Sequence, residues 1–532
     1  MDFDVIIVGS GFGGAVAACR LAEKNYRVLV LERGRRWDKT TYPRKPTDPW
    51  TFNVLRPEHE NGWLDLRVFQ HMAVAQGAAV GGGSLIYANI SVEAPQKTFD
   101  RGWPPEITFA ELKPHYDTVA KFMNVQCVPD NQWTERMRLM KQGAKGIGHE
   151  DRFKLLPLAV TFDPGYDPNT ADPARPGDPA NVAKSKRFQN AQGVEQGTCV
   201  HLGNCDIGCD VDARNTLDRN YLPWAEKHHA EVRPLHLVSN IEPIDGGYKV
   251  SFDRLEHGHR VPGSHTARIV IVAAGSLGST ELLFRCRDVI NSLPAISRCL
   301  GSRWSSNGDF LTPALYPDRA VHPSFGPTIT CAIDFLDGSE NGQEFWIEDG
   351  GIPNVLAGML KQEGTGAHRG FMAQTLLMSI HHMLQGAEPA KNVMPWFAQG
   401  VDAADGQLKL AKNFLTGDWL LDLGWDIKKS KAVMDEIIGM HLRLSAATKG
   451  APMVPPTWTI FNYLITPHPL GGCNVGKTAD DGVVNHAGEV FGYRNLYVCD
   501  GSVIPEALGV NPSRTIAALG ERTAKIIADE GR

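Results

Sequence analysis

Apolar and polar positions divide the chain into a few clear segments. Residues 4–8 (DVIIV) are a short unbroken apolar run rich in β-branched side chains, the pattern of a strand covered on both faces in a parallel sheet. The segment AVAACRLAEK from Ala15 changes to helical spacing, with Ala15, Cys19 and Ala22 on one side. RVLVLER then reads as a second buried strand, ending at Glu32. Residues 40–70 are rich in Pro and Trp and show no clear periodicity. Residues 160–190, rich in Pro, Asp, Asn and Ala, predict a long surface loop. Around 230–255, EVRPLHLVSNIEPI and YKVSFDRL alternate as strands, and RIVIVAAG (268–275) is a buried run closed by a glycine turn and a helix, STELLFRC. At the end, NLYVCDGSVIP predicts a strand and turn, and NPSRTIAALGERTAKIIADE a helix. Phe345, Trp346, Phe371, Met372, Met378, Met383, Trp396 and Phe397 predict ordinary core for most of their number rather than a dedicated apolar pocket.

Between the first strand and helix lies Gly9-Ser10-Gly11-Phe12-Gly13-Gly14, a G-x-G-x-x-G. Gly9 permits a tight turn, Gly11 lets backbone approach a pyrophosphate, and Gly14 lets helix and strand pack closely. The helix N-terminus offers free N–H groups to the phosphates. Glu32 lies 18 residues past Gly14, where a carboxylate accepts hydrogen bonds from both ribose hydroxyls and repels a 2′-phosphate. Strand, glycine turn, helix, strand and acid in this order predict a bound dinucleotide. This motif alone leaves NAD and FAD both open.

Composition narrows the class. The chain has 532 residues, 42% apolar and 21% charged, with a net charge of -6, as expected of a globular protein of two or three domains. The acidic balance speaks against a nucleic-acid or anionic-membrane partner, and no apolar run is long enough to span a bilayer. No basic and apolar leader precedes the first strand, and ten cysteines in this length are not a disulfide scaffold. The expectation is a reducing, cytoplasmic setting.

The segment GAAVGGGSLIYAN (77–89), the middle AAGSLGSTELL, and the end HPLGGC…LYVCDGSVIP…GVNPSRTIAALGER together resemble the glucose–methanol–choline (GMC) oxidoreductase family. The resemblance runs in order from residue 4 to about 528 and is thin between 311 and 460. GGGSLIYAN, GTCVHLGNCDIGCDVDARNTLDRNYL and WSSNGDFL look most like its bacterial cholesterol-oxidase branch. The resemblance implies FAD as the dinucleotide. Gly81, Gly82, Gly83 and Ser84 then run beside the flavin ring and pyrophosphate, where backbone must press on a flat ring. Val238 matches the backbone contact to adenine, and Gly275 lies near the adenosine half. Asp500 and Gly501 match the pair that touches diphosphate and ribityl chain. Phe12, Gly13, Arg33, Gly77, Pro512 and Thr515 join the cofactor set, and Asn89 is a candidate for contact with flavin or oxygen, with a turn residue as the alternative. Some members attach FAD through a histidine just before the glycine segment. Gln76 stands there in this chain, so FAD is expected to be noncovalent.

By the same resemblance, His468 and Asn511 face the flavin where a substrate carbinol lies. An imidazole can accept the hydroxyl proton or orient the hydroxyl as hydride leaves carbon, and an amide can hold the substrate oxygen or the flavin edge. The helix after Pro512 would offer its N-terminus to negative charge on reduced flavin. The alternative for Asn511 is a helix cap. Cholesterol oxidases place a glutamate near the substrate. Glu348 is the local candidate, against the reading of a surface glutamate.

The implied fold is α/β, or α+β overall. A Rossmann-like FAD-binding domain with a parallel sheet would be assembled from 1–95, 196–310 and 464–532. A substrate domain on a mostly antiparallel sheet with helices would come from 96–195 and 311–463. The expected reaction is oxidation of an alcohol, bulky and sterol-like, with electrons passing to O2 or another acceptor. A sugar or polyol substrate would instead need a polar wall from 311–463. A non-catalytic flavin-binding electron carrier is the alternative from another class. Cys199, Cys205 and Cys209, spaced C-x5-C-x3-C, are read as packed free thiols or a local disulfide. An iron–sulfur cluster is the lesser reading, because Leu202 stands where related chains have another cysteine. No metal site is assigned.

Overall fold

The computed structural model describes residues 1–354, 391–413 and 417–531. Phe371, Met372, Met378 and Met383 lie outside the described residues. The buried apolar runs form the centre of a seven-stranded sheet. Phe3–Val8 lies between Val28–Leu31 and the end of His259–Val272, parallel to both. Val5, Ile6, Ile7, Leu29, Val30, Ile269 and Ile271 are fully enclosed, as the covered faces of a parallel sheet require. Leu496–Val498 pairs in parallel with Val270–Val272. The first half of His259–Val272 turns back into the antiparallel strands Gly247–Glu256 and His236–Ile244, and Glu231–Arg233 closes the opposite edge.

The helix Phe12–Glu23 follows the first strand and packs against the last helix, Ser513–Asp529. Glycines set how closely they approach. A β-carbon on Gly520 would lie 3.2 Å from Val16 Cβ, and one on Gly13 would lie 1.6 Å from the Cys499 carbonyl oxygen.

A second, fully antiparallel sheet has the order Ala451–Pro452, Phe310–Leu315, Val393–Gly400, Gln343–Asp349, Cys331–Glu340, Phe153–Leu155. Its strands alternate. Met394, Trp396 and Ala398 are fully buried, and Trp396 donates to Ser445 on the helix Ile427–Ala447 at 2.9 Å. Phe345 and Trp346 are core, as expected. Phe397 differs from that expectation: its side chain alternates with Trp396 and lines a cavity. Leu311, Phe397 and Glu348 are successive cross-strand partners, so they share this second face.

A small sheet links the two. Leu64–Val68 pairs with Met72–Gly77, and Leu464–Thr466 lies parallel to Met72–Gly77. It sets the chain leading to His468 beside the chain leading into the glycine segment. The segment 40–70, which shows no periodicity in sequence, supplies the edge strand.

Candidate active site

The carboxyl ends of the parallel strands open on one cavity of about 970 Å³, where α/β sheets bind ligands. At one end its wall is Gly9, Gly11, Phe12, Glu32, Arg33, Val238 and Gly275. Gly9 has φ +99, and a β-carbon there would lie 2.4 Å from the Ala273 carbonyl oxygen, so the turn requires glycine. Glu32 ties the loops together. One oxygen accepts from the Ser10 N–H at 3.0 Å and hydroxyl at 2.7 Å, and the other accepts from the Gly34 N–H at 2.8 Å. Arg33 reaches the wall while paired with Asp65 at 2.8 Å and stacked over Phe52.

At the other end the wall is Gln76, Gly77, Gly82, Gly83, His468, Gly501, Asn511 and Pro512. The two glycine loops touch: a β-carbon on Gly82 would lie 2.7 Å from Gly11 Cα. Gly11 and Gly83 both open onto free space, with no atom within 4 Å of a β-carbon. Gln76 Nε2 and Asn511 Oδ1 are buried and have no protein partner. A glycine-walled cleft with an unpaired donor and an unpaired acceptor fits a long ligand carrying a diphosphate and a flat polar ring.

Gly13, Gly14, Gly81, Ser84, Asn89 and Thr515 stand behind the wall. Ser84 donates to the Gly81 carbonyl at 2.7 Å and accepts from the Leu217 N–H at 3.1 Å. Asn89 accepts from Arg214 at 3.1 Å, and Thr515 bonds the Tyr116 hydroxyl at 2.9 Å. Asp500 accepts from the Ser502 N–H at 2.8 Å and the Gly275 N–H at 2.9 Å, joining two turns of the cavity rim.

His468 and Asn511 both line the cavity, and Glu348 lies buried behind Asn511. His468 Nδ1 lies 2.9 and 3.1 Å from the two oxygens of Asp309, which is fully enclosed. Thr466 donates to Asp309 at 2.5 Å and accepts from the His468 N–H at 2.8 Å. Burial raises the Asp309 carboxyl above the ordinary carboxylate range, and His468 opposes that rise. Phe397 lies 6.4 Å from the imidazole, ring centre to ring centre. Glu348 corrects the surface reading: it is 0% exposed. It accepts from Gln399 Nε2 at 3.0 Å, and Gln399 in turn accepts from the Trp346 indole. Burial pushes Glu348 well above the ordinary range, against opposing contributions from Gln399 and then Asn511, so Glu348 and Asn511 are neighbours. Asn511 does not cap the last helix, whose N-cap is Pro512 with no side-chain bond.

Sequence reasoning missed Asn307, Asp309, Gln399, Asp402 and Thr466. Asn307 accepts from the Leu508 and Gly509 N–H groups at 2.9 and 3.0 Å and donates to the Val510 carbonyl at 2.9 Å. It therefore fixes the turn that presents Asn511. Asp402 accepts from the Ser305 hydroxyl at 2.7 Å and the Ser306 N–H at 2.9 Å. WSSNGDFL, already notable as a motif, was the available signal for Asn307 and Asp309.

Cys199, Cys205 and Cys209 are free thiols. Burial raises all three, Cys209 to about 11, so they are not activated thiolates. Among the described residues no group of three or more His, Cys, Asp or Glu is arranged to hold a metal ion, and no helix is long and apolar enough to cross a membrane.

Comparison with known proteins agrees with this geometry. A GMC oxidoreductase family model matches residues 402–520, and an NAD(P)-binding Rossmann-like domain model matches 7–40. A cholesterol oxidase of Acinetobacter baumannii is 31% identical, covering 99% of this chain and 94% of its own. A cholesterol oxidase of Mycobacterium tuberculosis is also 31% identical, covering 100% and 92%. The solved structure of a formate oxidase from Aspergillus oryzae superposes with a TM-score of 0.64 at 14% identity, over 99% of this chain and 98% of that one, a likeness of fold. With nearly full-length relatives above 30% identity and the dinucleotide cleft in place, the chain belongs to the GMC oxidoreductase family and is an FAD-dependent oxidoreductase of alcohols.

Proposed function

We propose that this protein oxidises the hydroxyl of a bulky, apolar, sterol-like alcohol to a carbonyl where His468, Asn511 and Glu348 meet, with FAD held noncovalently. In this reading 1–95, 196–310 and 464–532 hold the cofactor, and 96–195 and 311–463 hold the substrate. Bound FAD supplies the hydride acceptor. His468 takes the hydroxyl proton as the carbon–hydrogen bond breaks, and the Asn511 amide holds the substrate oxygen. Glu348 backs Asn511 from the sheet. The start of the last helix, at the wall through Pro512 and Ser513, would offer its N–H groups and positive dipole end to the bound flavin. Gln76 in place of an attaching histidine supports noncovalent FAD, and ten unpaired cysteines support a reducing, cytoplasmic setting.

The observation that carries the substrate class is the character of the wall. A sugar or polyol would call for polar residues from 311–463. The described wall residues of that stretch are Leu311, Thr328, Ile329, Gly350, Gly351, Ile352, Pro395, Phe397, Asp418 and Trp419, and Ile86 and Ile90 also line the cavity. Large apolar alcohols fit such a wall; small polyols leave it unfilled. The two cholesterol oxidases point the same way.

The test is anaerobic bleaching of the visible flavin band by cholesterol, dodecanol, benzyl alcohol and glucose. Fastest bleaching by cholesterol is expected, and glucose as the best reductant overturns the substrate class. His468→Ala should slow bleaching roughly 100-fold or more; unchanged bleaching removes the assigned role. Peroxide formed in air identifies O2 as the acceptor, and its absence assigns another acceptor. Acid precipitation should leave all flavin in the supernatant.

A further inference from the structure

We propose that Asp309 is a positioning residue that sets the working form of His468. Acting through the imidazole, it fixes which ring nitrogen faces the alcohol and sets a negative charge against the imidazolium. The inference rests on the reading of His468 as proton acceptor.

Three observations carry it. Both Asp309 oxygens lie within hydrogen-bond distance of Nδ1, at 2.9 and 3.1 Å. Asp309 is enclosed, and its Oδ2 is held by the Thr466 hydroxyl. The same hydroxyl accepts the backbone N–H of His468, so ring and carboxylate are fixed to one post. An ionised carboxylate only accepts hydrogen bonds, so Nδ1 carries the ring proton. Nε2, which makes no hydrogen bond among the described residues, keeps its lone pair for the hydroxyl proton. When that proton arrives, the imidazolium lies against a carboxylate already in place.

The other titratable groups acting on the pair come from two strands. Glu348 lies near the end of the strand Gln343–Asp349, and Asp402 follows Val393–Gly400; both are buried and both interact electrostatically with Asp309. Phe397 and Asn511 are the uncharged groups nearby. Asp402 is occupied by Ser305 and Ser306, and Glu348 by Gln399. Asp309 is thus the carboxylate in direct contact with the ring.

The test reads His468 directly. Diethyl pyrocarbonate acylates unprotonated imidazole, and mass spectrometry of the FAD-loaded protein gives the acylation rate at residue 468 against pH. Asp309→Asn removes the negative charge, disfavours the imidazolium and should move the midpoint to lower pH by about one unit. It should also slow flavin bleaching by cholesterol roughly tenfold. Thr466→Val removes the hydroxyl that shares the carboxylate's charge and should move the midpoint the other way. This second variant decides the matter if Asp309→Asn fails to load FAD. Midpoints equal to the parent's, or a loss of rate that is the same at every pH, overturn the proposal. A midpoint that moves as expected while His468→Ala still oxidises alcohols would instead overturn the catalytic role of His468 and leave the Asp309–His468 coupling standing.

Discussion

Replacing Gly13 by Ala tests the claim that packing behind the cofactor, as much as contact with it, builds the cleft. A β-carbon at residue 13 would stand 1.6 Å from the Cys499 carbonyl oxygen and 2.6 Å from its carbon. Both obstacles are backbone, so no rotamer relieves them. To regain ordinary contact the first helix must withdraw from the Cys499–Gly501 segment by more than about 1 Å, an overpacking that costs about 3 kcal/mol. Gly9–Phe12 and Asp500–Gly501 both line the cavity, so the withdrawal parts two of its walls. The clash is within the protein itself, so the FAD-free form should lose about 3 kcal/mol of stability, and the parted walls should weaken FAD binding as well. Gly11→Ala is the matched control. Nothing lies within 4 Å of its β-carbon, so the FAD-free protein should melt within about 0.5 kcal/mol of the parent. Its methyl group nevertheless enters the cleft and should expel FAD. The assay is the flavin-to-protein ratio after desalting, beside thermal melting of the FAD-free forms. Gly13→Ala with a full complement of FAD and parental melting would refute the reasoning, as would indistinguishable melting of the two FAD-free variants.

Two further changes probe the far side of the cavity. Burial raises the Glu348 carboxyl, so the folded form keeps a proton that the unfolded chain releases above its ordinary value of 4.5. The stabilising contribution is full below that pH and is lost as pH rises, at up to about 1.4 kcal/mol per unit. Glu348→Gln should therefore gain stability relative to the parent between pH 5 and pH 8 in denaturant titrations, and parallel curves would remove the assignment. Asn307→Ala strips partners from two enclosed N–H groups and one carbonyl of residues 508–510 and places alanine at φ +58. A loss of at least about 2 kcal/mol is expected, with kcat falling more than KM because Asn511 loses its fixed place; a parental melting curve would count against the clamp.

The nucleotide half of this fold is close to the surface of the sequence because its signals are local. Residues 4–8, the glycine turn and Glu32 lie within one strand–helix–strand unit, where spacing alone conveys geometry. The final helix and its Asn-Pro start are equally local. Glu348 was harder, since its burial depends on which face of an antiparallel strand meets the cavity. That is decided by its pairing with Phe397 from 49 residues away, a register that no short window contains. The segment 40–70 lacked a pattern because its strand Leu64–Val68 pairs with Met72–Gly77 at the margin of the fold, where one face need not be apolar.

The supports of His468 and Asn511 were hidden for a different reason. His468 and Asn511 are 43 residues apart in the chain, and neither is held by its own neighbours alone. The five residues 305–309 hold both: Asn307 grips the turn before Asn511, and Asp309 grips the imidazole. Ser305 and Ser306 are anchored in turn on Asp402. Asn307 and Asp309 both precede the strand Phe310–Leu315 and project from a loop with left-handed backbone at Asn307 and Gly308, so their directions follow from the turn rather than from any periodic pattern. In the proposed function a proton acceptor and an amide act on one hydroxyl, which needs a fixed separation. Hanging both on one short, internally bonded segment secures that separation even as the two chain segments approach from different sheets. A polar run such as SSNGD, placed at the mouth of a buried strand, is therefore better read as a clamp between distant segments than as a loop.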